Sequence, residues 1–405
     1  MSEAALIERE ADDRPIVGLK PGAHRRLRAG HPWVYSNEVD MTAAAKALEP
    51  GSVVRLASHG GHALGVAMFN PSSLISARLF DRNPDAAIDR RFFALRLARA
   101  VALRQRLIGV PFYRLAHAEA DGLPGVVIDR FGEVAVLQVN SAGMERLLPT
   151  LLAALDEVLS PAVVLLRNDS PARAHEGLPD YVRFARGDIG EPVELAENGV
   201  RFLADLREGQ KTGWFFDQRD NRAAVARLAA GARVLDLYSY AGGFAVQAAA
   251  AGAAEVLAID RSAAALDLAA RSAALNGVQD RCTFRRAEAF YELDGLAAAG
   301  ERYDIVVADP PAFVRSRKDV GQGTRAYRKL TRLAARLVRP GGFLFVASCS
   351  HHVEPVLFAE QVRRGLSDAG REGRILASTG AAPDHPVHPA LPESAYLKTQ
   401  LLQVD

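Results

Sequence analysis

The segment DLYSYAGGF (236–244) decides the fold of the C-terminal half of this 405-residue chain. It overlaps an apolar run, RVLDLY (233–238), that predicts a buried strand, and a helix is predicted to start directly after Gly243. Glycine in such a turn lets the backbone approach a ligand closely, and the first N–H groups of a helix can bind that ligand. The segment therefore predicts a ligand site between a strand and a helix.

Short apolar strands alternate with longer helices from about residue 190 onward. This alternation is typical of an open, mostly parallel, Rossmann-like α/β sheet. Seven strands are predicted, over residues 233–238, 255–260, 282–287, 303–309, 343–348, 374–377 and 396–404. We therefore assign residues 190–405 to one α/β domain.

The N-terminal half has a different pattern. Two alternating apolar runs within 51–70 predict a hairpin, and with further short strands they indicate a β-rich domain over 1–83. A small α+β domain is predicted over 84–189. Its predicted helices cover 89–107 and about 144–159, and its predicted strands cover 112–117, 126–130, 134–139 and 163–168, the last of which closes the domain.

An acidic residue follows the glycine turn at a sequence spacing that is typical of ribose-binding sites. Asp260 closes the second predicted strand, 17 positions beyond Gly243, where a carboxylate can accept hydrogen bonds from a ribose. The G-x-G-x-x-G pattern of dinucleotide sites is absent. The combination favours a nucleoside cofactor without a pyrophosphate, which S-adenosylmethionine fits. The alternative is a glycine turn and a strand-end carboxylate in an unrelated α/β protein.

The fourth predicted strand of this domain ends in ADPPAF (308–313). Two consecutive prolines cannot continue a strand, so they predict a rigid, exposed loop. Asp309 would accept a hydrogen bond from a nitrogen of a target base, and Phe313 would either stack on that base or simply pack.

The fifth predicted strand ends in SCS (348–350). A lone cysteine on an apolar strand is usually a small core residue. Cys349, however, is expected beside Asp309 at the carboxyl edge of the sheet, where such sheets bind ligands. A thiolate that adds to carbon 6 of a cytosine makes carbon 5 able to accept a methyl group. Cys282, at the start of its strand, is expected to be structural.

Composition narrows the function classes. Hydrophobic residues make up 49% and charged residues 24%, as in soluble globular proteins. The chain lacks an apolar run long enough for a membrane span, and its charged start is unlike a signal peptide, so a cytoplasmic protein is expected. The two cysteines exclude a disulfide framework, and metal binding is not expected at His385 and His388, which lie in a proline-rich stretch.

The net charge of +2 does not by itself indicate nucleic acid, but basic residues are clustered. One cluster, over 14–31, includes Arg25 and Arg26. The other, over 314–336, has eight basic residues and one acidic residue and directly follows the D-P-P loop. RNA phosphates would pass there, although a solvated helix face is the alternative.

Seven motifs stand in order along the chain: HPWVYSNEV (31–39), EADGLPGVVIDRFG (119–132), KTGWFFDQRDNR (211–222), YSYAGGFAV (238–246), ADPPAF (308–313), SCS (348–350) and DHPVHPALPESAYLK (384–398). Together they resemble one family, the bacterial ribosomal RNA large-subunit methyltransferase I family of cytosine-5 methyltransferases. The resemblance implies a PUA-like RNA-binding domain, a central domain and a class I methyltransferase domain, with 5-methylcytosine in 23S rRNA as product.

The resemblance also implies roles for single residues. Cys349 takes the nucleophile position, and Asp260 that of the ribose-binding acid. Glu288 stands where the family commonly has an aspartate beside the adenine. The segment 217–219 is expected to close over the cofactor, with a structural ion pair as the alternative for Arg219.

Two sets of residues are thus predicted to bind ligands. The cofactor set is Asp217, Gln218, Arg219, Asp236, Tyr238, Ser239, Tyr240, Ala241, Gly242, Gly243, Phe244, Asp260, Arg261, Glu288 and Asp309. The RNA set is Arg25, Arg26, Pro310, Pro311, Phe313, Arg315, Lys318, Arg325 and Lys329.

Three other functions compete with this interpretation. The same fold could methylate a nitrogen of guanine or adenine, with Cys349 idle. The chain could be a catalytically silent RNA-binding assembly factor, or a small-molecule methyltransferase, although the latter would not need N-terminal modules. The sequence leaves open the target nucleotide, naked rRNA or an assembly intermediate as substrate, the base that removes the carbon 5 proton, and whether the protein is a monomer or a homodimer.

Overall fold

The computed structural model describes residues 14–190 and 192–405. The first 13 residues of the predicted β-rich domain and Glu191 therefore lie outside the described residues. Contacts divide the chain into two compact units. The first unit includes residues 14–106, 115–188 and 387–392, and the second includes 107–114, 189–386 apart from Glu191, and 393–405. The predicted domain boundaries at 83/84 and 189/190 stay predictions.

The first unit contains a five-stranded sheet in the order β1-β3-β4-β5-β2. The predicted hairpin forms its centre, where β3 and β4 pair antiparallel. Small apolar side chains such as Val54, Leu56 and Ala67 fill its core, because alternate residues of each strand face inward. The elements are β1 (Ile16–Gly18), α1 (His24–Arg28), β2 (Trp33–Tyr35), α2 (Ala43–Lys46), β3 (Ser52–Ala57), β4 (Ala63–Phe69) and β5 (Ile75–Asp81).

A second five-stranded sheet follows, in the order β10-β9-β8-β7-β6. The helix predicted near 144–159 is in fact two helices, because Pro149, which has no N–H to donate, stands in the first turn of the second one. The prediction that 163–168 closes this part of the chain is wrong, since β10 pairs with that strand. The elements are α3 (Arg90–Leu107), β6 (Phe112–His117), β7 (Val126–Phe131), β8 (Val134–Val139), α4 (Ala142–Arg146), α5 (Leu148–Leu159), β9 (Val163–Asn168) and β10 (Tyr181–Arg186).

The second unit contains the predicted seven-stranded sheet, in the order β15-β14-β13-β16-β17-β19-β18, and an antiparallel hairpin of β11 and β12 that was not predicted. Its strands are β11 (Val193–Glu197), β12 (Val200–Ala204), β13 (Arg233–Leu237), β14 (Glu255–Asp260), β15 (Cys282–Arg286), β16 (Tyr303–Ala308), β17 (Val338–Ser348), β18 (Gly373–Thr379) and β19 (Lys398–Val404). Its helices are α6 (Arg219–Ala226), α7 (Gly243–Ala250), α8 (Ala263–Leu275), α9 (Ala289–Ala298), α10 (Val320–Leu337) and α11 (Pro355–Asp368).

The order of these strands fixes where a ligand can bind. From β13 the chain builds outward through β14 to β15 and then crosses back to β16 and β17 on the other side. Strands β13 to β17 run parallel, so the turns after β13 and β16 diverge at the carboxyl edge and leave a crevice there. Buried residues such as Leu235, Val306 and Leu344 hold the sheet rigid beneath that crevice.

The predicted strands agree with the observed ones to within a few residues, except at β17. This strand starts at Val338, five residues before the predicted start at Phe343, and runs through Gly341 and Gly342 with an irregularity in its pairing to β16. The two glycines account for the irregularity. Gly341 has a left-handed φ of 78° and lies between Val338 and Phe343, the residues of β17 that pair with Tyr303 and Ile305 of β16. Within the described part of the chain, no helix is long and apolar enough to cross a membrane.

Candidate active site

The turn after β13 contains three residues with left-handed backbone conformation. Tyr238 has φ of 62°, Tyr240 of 49° and Gly242 of 76°. Non-glycine residues adopt this conformation only when the surroundings impose it. Here the Tyr240 N–H donates to Asp260 Oδ2 at 2.9 Å, and the Ser239 N–H donates to the Ile259 carbonyl at 3.0 Å. The end of β14 thus fixes the shape of the turn.

The two glycines of the turn are required for packing within the protein. A Cβ on Gly242 would lie 2.7 Å from the Ala269 Cβ, and a Cβ on Gly243 would lie 2.5 Å from Arg222 Nε. Both distances are below those that real Cβ atoms show, so any larger residue would push α7 away from its neighbours. Contacts with Ala269 and Arg222 therefore require glycine at these two positions, which is a different reason from the predicted close approach of the backbone to a ligand.

Four buried polar atoms in and near this turn accept or donate no hydrogen bond among the described residues. They are Asp217 Oδ1, Asp236 Oδ1, Tyr238 Oη and Ser239 Oγ. Orphaned buried polar atoms are rare in folded proteins, and a ligand can satisfy them. A cofactor with ribose hydroxyls and an amino-acid end offers complementary groups, so the residues present fit S-adenosylmethionine.

The carboxylates predicted to hold the cofactor lie at the ends of neighbouring strands. Asp260 is the last residue of β14, and its carboxylate accepts hydrogen bonds from the Tyr240 and Ser262 N–H groups, at 2.9 and 2.8 Å. Glu288, beyond the end of β15, is exposed and caps α9 by accepting from the Tyr291 N–H at 2.9 Å. Arg261 is exposed as well. β14 and β15 are adjacent parallel strands, so both acids lie at the same edge of the sheet, and their contact with the cofactor stays a prediction.

Asp309 follows β16 at the same edge. Gln218 Nε2 donates to Asp309 Oδ2 at 2.9 Å, and Asn221 Nδ2 orients that glutamine by donating to its Oε1 at 2.7 Å. Burial raises the pKa of Asp309 to about 6, with the negative charge of Asp217 adding to the effect. Asp309 can therefore hold a proton near neutral pH and give it to a partner.

Asp217 is the opposite case, a buried carboxyl that stays charged. Burial alone would raise its pKa, but Lys211, His385 and the Tyr396 hydroxyl lower it well below the usual value. Lys211 Nζ lies 3.2 Å from Asp217 Oδ2, and the Tyr396 hydroxyl donates to the same oxygen at 2.5 Å. Two carboxyls near each other, one charged and one easily protonated, are typical of active sites.

The third residue of that segment, Arg219, makes contacts of a structural kind. Its Nη2 donates to the Phe112 carbonyl, and its guanidinium lies 5.4 Å from the centre of the Phe216 ring. Glu197 lies 3.9 Å away. These contacts favour the structural alternative for Arg219, whereas Asp217 contacts Lys211 and Gln218 contacts Asp309, and their binding of the cofactor stays a prediction.

Cys349 is the first residue after β17 and is partly buried. In the pairing of β16 with β17, Ala308 lies opposite Val346, which brings the residues after both strands to one edge of the sheet. Burial raises the pKa of the Cys349 thiol, the charge of Lys211 lowers it, and Asp309 and Asp217 raise it further. Burial also raises the pKa of Cys282, to about 11, and the structural role of that cysteine stays a prediction.

The loop from Pro310 to Phe313 is held from below by hydroxyl groups. Ser350 Oγ accepts from the Val314 N–H at 3.1 Å and lies 2.9 Å from the Tyr327 hydroxyl. The Phe313 ring packs on Tyr327, with centroids 4.8 Å apart. Phe313 thus packs against the protein, while Pro310 is buried and Pro311 exposed.

The basic residues predicted to bind RNA differ in their contacts. Arg315, Lys318, Arg325 and Lys329 are all exposed, and Lys329 Nζ lies 4.9 Å above the Phe290 ring. In the first unit Arg25 is exposed, but Arg26 is engaged locally: it lies 2.5 Å from Glu38 and 4.5 Å above the Tyr35 ring.

Sequence reasoning missed three residues that the structure brings to this edge, namely Lys211, Tyr396 and Lys398. All three stand inside the motifs on which the resemblance rests, and this position was the available signal. In the described ranges, no group of three histidine, cysteine or carboxylate side chains is arranged to hold a metal ion.

Comparison with known proteins gives two family matches. Residues 159–398 match the family described as S-adenosylmethionine-dependent methyltransferase, and residues 17–82 match the PUA-like domain. A protein of Shewanella amazonensis named ribosomal RNA large subunit methyltransferase I is 38% identical over 393 residues, 96% of this chain and 99% of the relative. The protein of that name from Aeromonas salmonicida is 37% identical over 388 residues, covering 95% and 98%.

Solved structures give the same fold. A proposed SAM-dependent methyltransferase from Streptococcus mutans superposes with a TM-score of 0.81 at 21% identity, covering 96% of this chain and 100% of its own. A second chain, described as a methyltransferase complexed with SAH, reaches 0.80 at 21% identity over 96% and 99%. These comparisons confirm the predicted fold class, in which a PUA-like domain precedes a class I methyltransferase sheet.

Proposed function

Because the chain belongs to the ribosomal RNA large subunit methyltransferase I family of S-adenosylmethionine-dependent methyltransferases, we propose that it methylates carbon 5 of a cytosine in 23S rRNA through a covalent adduct with Cys349. The observation that carries this proposal is the meeting of a thiol and a protonatable carboxyl, Cys349 and Asp309, at the ends of two adjacent parallel strands. An enzyme acting on an amino nitrogen needs no such thiol.

The reaction needs a nucleophile, because carbon 5 of cytosine is too weakly nucleophilic to take a methyl group directly. In the proposed first step the Cys349 thiolate adds to carbon 6 and forms a carbon–sulfur bond. The displaced electron pair moves toward nitrogen 3, which takes the proton held by Asp309. Gln218, itself held by Asn221, keeps the Asp309 carboxyl in place for this transfer. Carbon 5 then has the electron density of an enamine.

S-adenosylmethionine supplies the methyl group that carbon 5 attacks. S-adenosylhomocysteine is the leaving group of this transfer. The carbon 5 proton then passes to solvent water, and the electron pair of the broken carbon–hydrogen bond re-forms the double bond between carbons 5 and 6 and expels the Cys349 thiolate. Asp309 takes back the nitrogen 3 proton as this happens, so the carboxyl and the thiol both return to their starting states. The protein must hold cytosine outside a base-paired stack during these steps, because neither face of carbon 6 is accessible to a side chain in a duplex.

The product identifies the reaction. Wild-type protein is incubated with 23S rRNA and labelled S-adenosylmethionine, and the digested nucleosides are analysed by mass. We expect the label in 5-methylcytosine. Label in an N-methyl guanine or adenine would replace the proposal by nitrogen methylation, and binding of rRNA without any transfer would indicate a silent assembly factor.

The exposed cations after the D-P-P loop are proposed to contact RNA phosphates. Changing Arg325 and Lys329 together to alanine is expected to weaken rRNA binding about tenfold at low salt, because two positive charges that face phosphates are removed. The slope of log affinity against log salt should become shallower by about 0.7 for each single-strand phosphate that the variant no longer neutralises. Filter binding over a salt series measures both quantities.

A matched control exists on α11. Arg363 and Arg364 are also exposed and basic, but both are tied to Glu360, at 2.8 and 2.7 Å. The Arg363→Ala, Arg364→Ala variant removes the same formal charge and should leave the salt slope unchanged. Equal effects of the two double variants would show that net charge alone governs binding and would remove the proposed role of Arg325 and Lys329.

A further inference from the structure

Lys398 is a buried cation whose partners are uncharged. Its side chain is 7% exposed, and its Nζ donates to the Ser350 carbonyl at 2.5 Å and to the Tyr396 carbonyl at 2.9 Å. Among the described residues, no carboxylate lies within ion-pair distance of this ammonium. Burying a charge without a counter-charge is costly, so the arrangement calls for a reason.

The pairing of the strands locates this charge. In the antiparallel pair of β17 and β19, Lys398 stands directly opposite Ser348, the last residue of β17. The next residue along that chain is Cys349, and the carbonyl that Lys398 binds belongs to Ser350, the residue after it. The Lys398 ammonium therefore binds the turn formed by Cys349 and Ser350, which carries the thiol.

We propose that Lys398 is a positioning residue of the methyl transfer: its ammonium fixes the turn that presents Cys349 and is the buried counter-charge of the Cys349 thiolate. The proposal rests on the nucleophilic role of Cys349 proposed above. This role explains why a lysine whose partners are carbonyl groups is tolerated in the interior. When Cys349 is a thiolate, its negative charge balances the positive charge of Lys398.

Other charges act on the same thiol and have to be separated from Lys398. Burial lowers the pKa of Lys398, and the charges of the Cys349 thiolate and Glu354 raise it. The pKa of the Cys349 thiol is in turn lowered by the charge of Lys211, so the effects of the two lysines have to be measured separately. The titratable or charged groups that face Cys349 or Lys398 are Lys211, Asp217, Asp309, Tyr327, His351, Glu354 and Tyr396. Lys211 differs from Lys398 because it is paired with Asp217, 3.2 Å away.

Two substitutions separate the two parts of this role. Lys398→Gln removes the charge but keeps an amide that can donate to the Ser350 and Tyr396 carbonyls. Lys398→Met removes both. The matched control is Gln400→Leu, which removes another buried polar side chain from the same face of β19 without changing the charge. All variants are made in full-length protein with Cys282→Ala, so that Cys349 is the only thiol.

The test follows the thiol directly. The rate of Cys349 alkylation by iodoacetamide is measured against pH without RNA, and thermal unfolding verifies that each variant is folded. We expect Lys398→Gln to raise the pKa of the Cys349 thiol by about one unit, which makes alkylation about tenfold slower at any pH below that pKa. Gln400→Leu should match wild type. Lys398→Met should show the same shift and, in addition, a lower kcat at high pH, where the thiolate is restored.

Each outcome decides something. An alkylation profile of Lys398→Gln that superimposes on wild type would overturn the proposal, and so would an equal shift in Gln400→Leu. If Lys398→Met does not fold, the charge is still tested by Lys398→Gln. If the shift is found but wild-type protein forms no 5-methylcytosine, Lys398 is the counter-charge of the thiolate and the proposed reaction is what fails.

Discussion

Replacing Cys349 by alanine is expected to lower the rate of methyl transfer by at least about 10³-fold, because the variant lacks the thiol that adds to carbon 6 of the cytosine. The affinity for S-adenosylhomocysteine should stay unchanged, since the unpartnered atoms that fit the cofactor belong to the turn after β13 and to Asp217. Transfer of labelled methyl to rRNA measures the first quantity, and titration calorimetry measures the second.

The matched control is Cys282→Ala, which removes the only other thiol of the chain, at the opposite end of its strand from the reactive edge. It should methylate at the wild-type rate. RNA with 5-fluorocytosine at the target adds a direct readout, because fluorine cannot leave as a proton and the adduct is trapped on Cys349. Full activity of Cys349→Ala, or a trapped adduct in that variant, would show that Cys349 is structural.

The second large effect is expected from Asp309→Asn. Asparagine keeps the shape and a hydrogen-bond donor but cannot transfer a proton to nitrogen 3, so kcat should fall about 10²- to 10³-fold. Because the pKa of Asp309 is about 6, the free wild-type enzyme loses the protonated form as the pH rises through that value. The wild-type profile of kcat/KM against pH should therefore have a descending limb that the variant lacks. Persistence of that limb in Asp309→Asn would assign it to another group.

The same substitution should make the folded protein more stable at neutral pH. The pKa of Asp309 is raised in the folded state, so the carboxyl stabilises the fold while protonated, and this contribution is lost as the pH rises from about 4 to about 6. Asparagine never carries the charge. The Tm of Asp309→Asn should exceed that of wild type at pH 7.5, and the difference should disappear toward pH 4. A lower Tm at pH 7.5 would contradict the burial argument.

The parts of the site that the sequence predicts are those attached to regular strands. Asp309 and Cys349 are predicted to lie together because each follows an apolar strand, and parallel strands end at one edge. Strand identity comes from residue pattern over six or more positions, so errors of one or two residues at the strand ends do not change which side chains meet. Six of the seven strands of the larger sheet in the second unit are predictable for the same reason, whereas the pattern at 374–377 covers only four residues.

The residues that the sequence does not predict depend on contacts between distant segments. Lys211 lies in an irregular stretch whose backbone has no period, and its partner Asp217 is positioned by a short 3-10 turn at 216–218. Lys398 begins a strand with apolar neighbours, where a lysine suggests an exposed end. Only the pairing of β19 with β17 reveals that its ammonium lies beside the nucleophile.

The spatial order of the last three strands has a consequence for the nascent chain. Strand β18 is synthesised before β19, yet among the described strands β19 is its only neighbour in the sheet, and β19 lies between β17 and β18. Until β19 emerges, β18 has no partner, and its side chains Ile375 and Leu376 remain exposed even in the finished protein, at 55% and 50%. Unpaired strands with apolar side chains are sites of misassembly. During translation we therefore expect this segment to be open to misassembly until β19 is made.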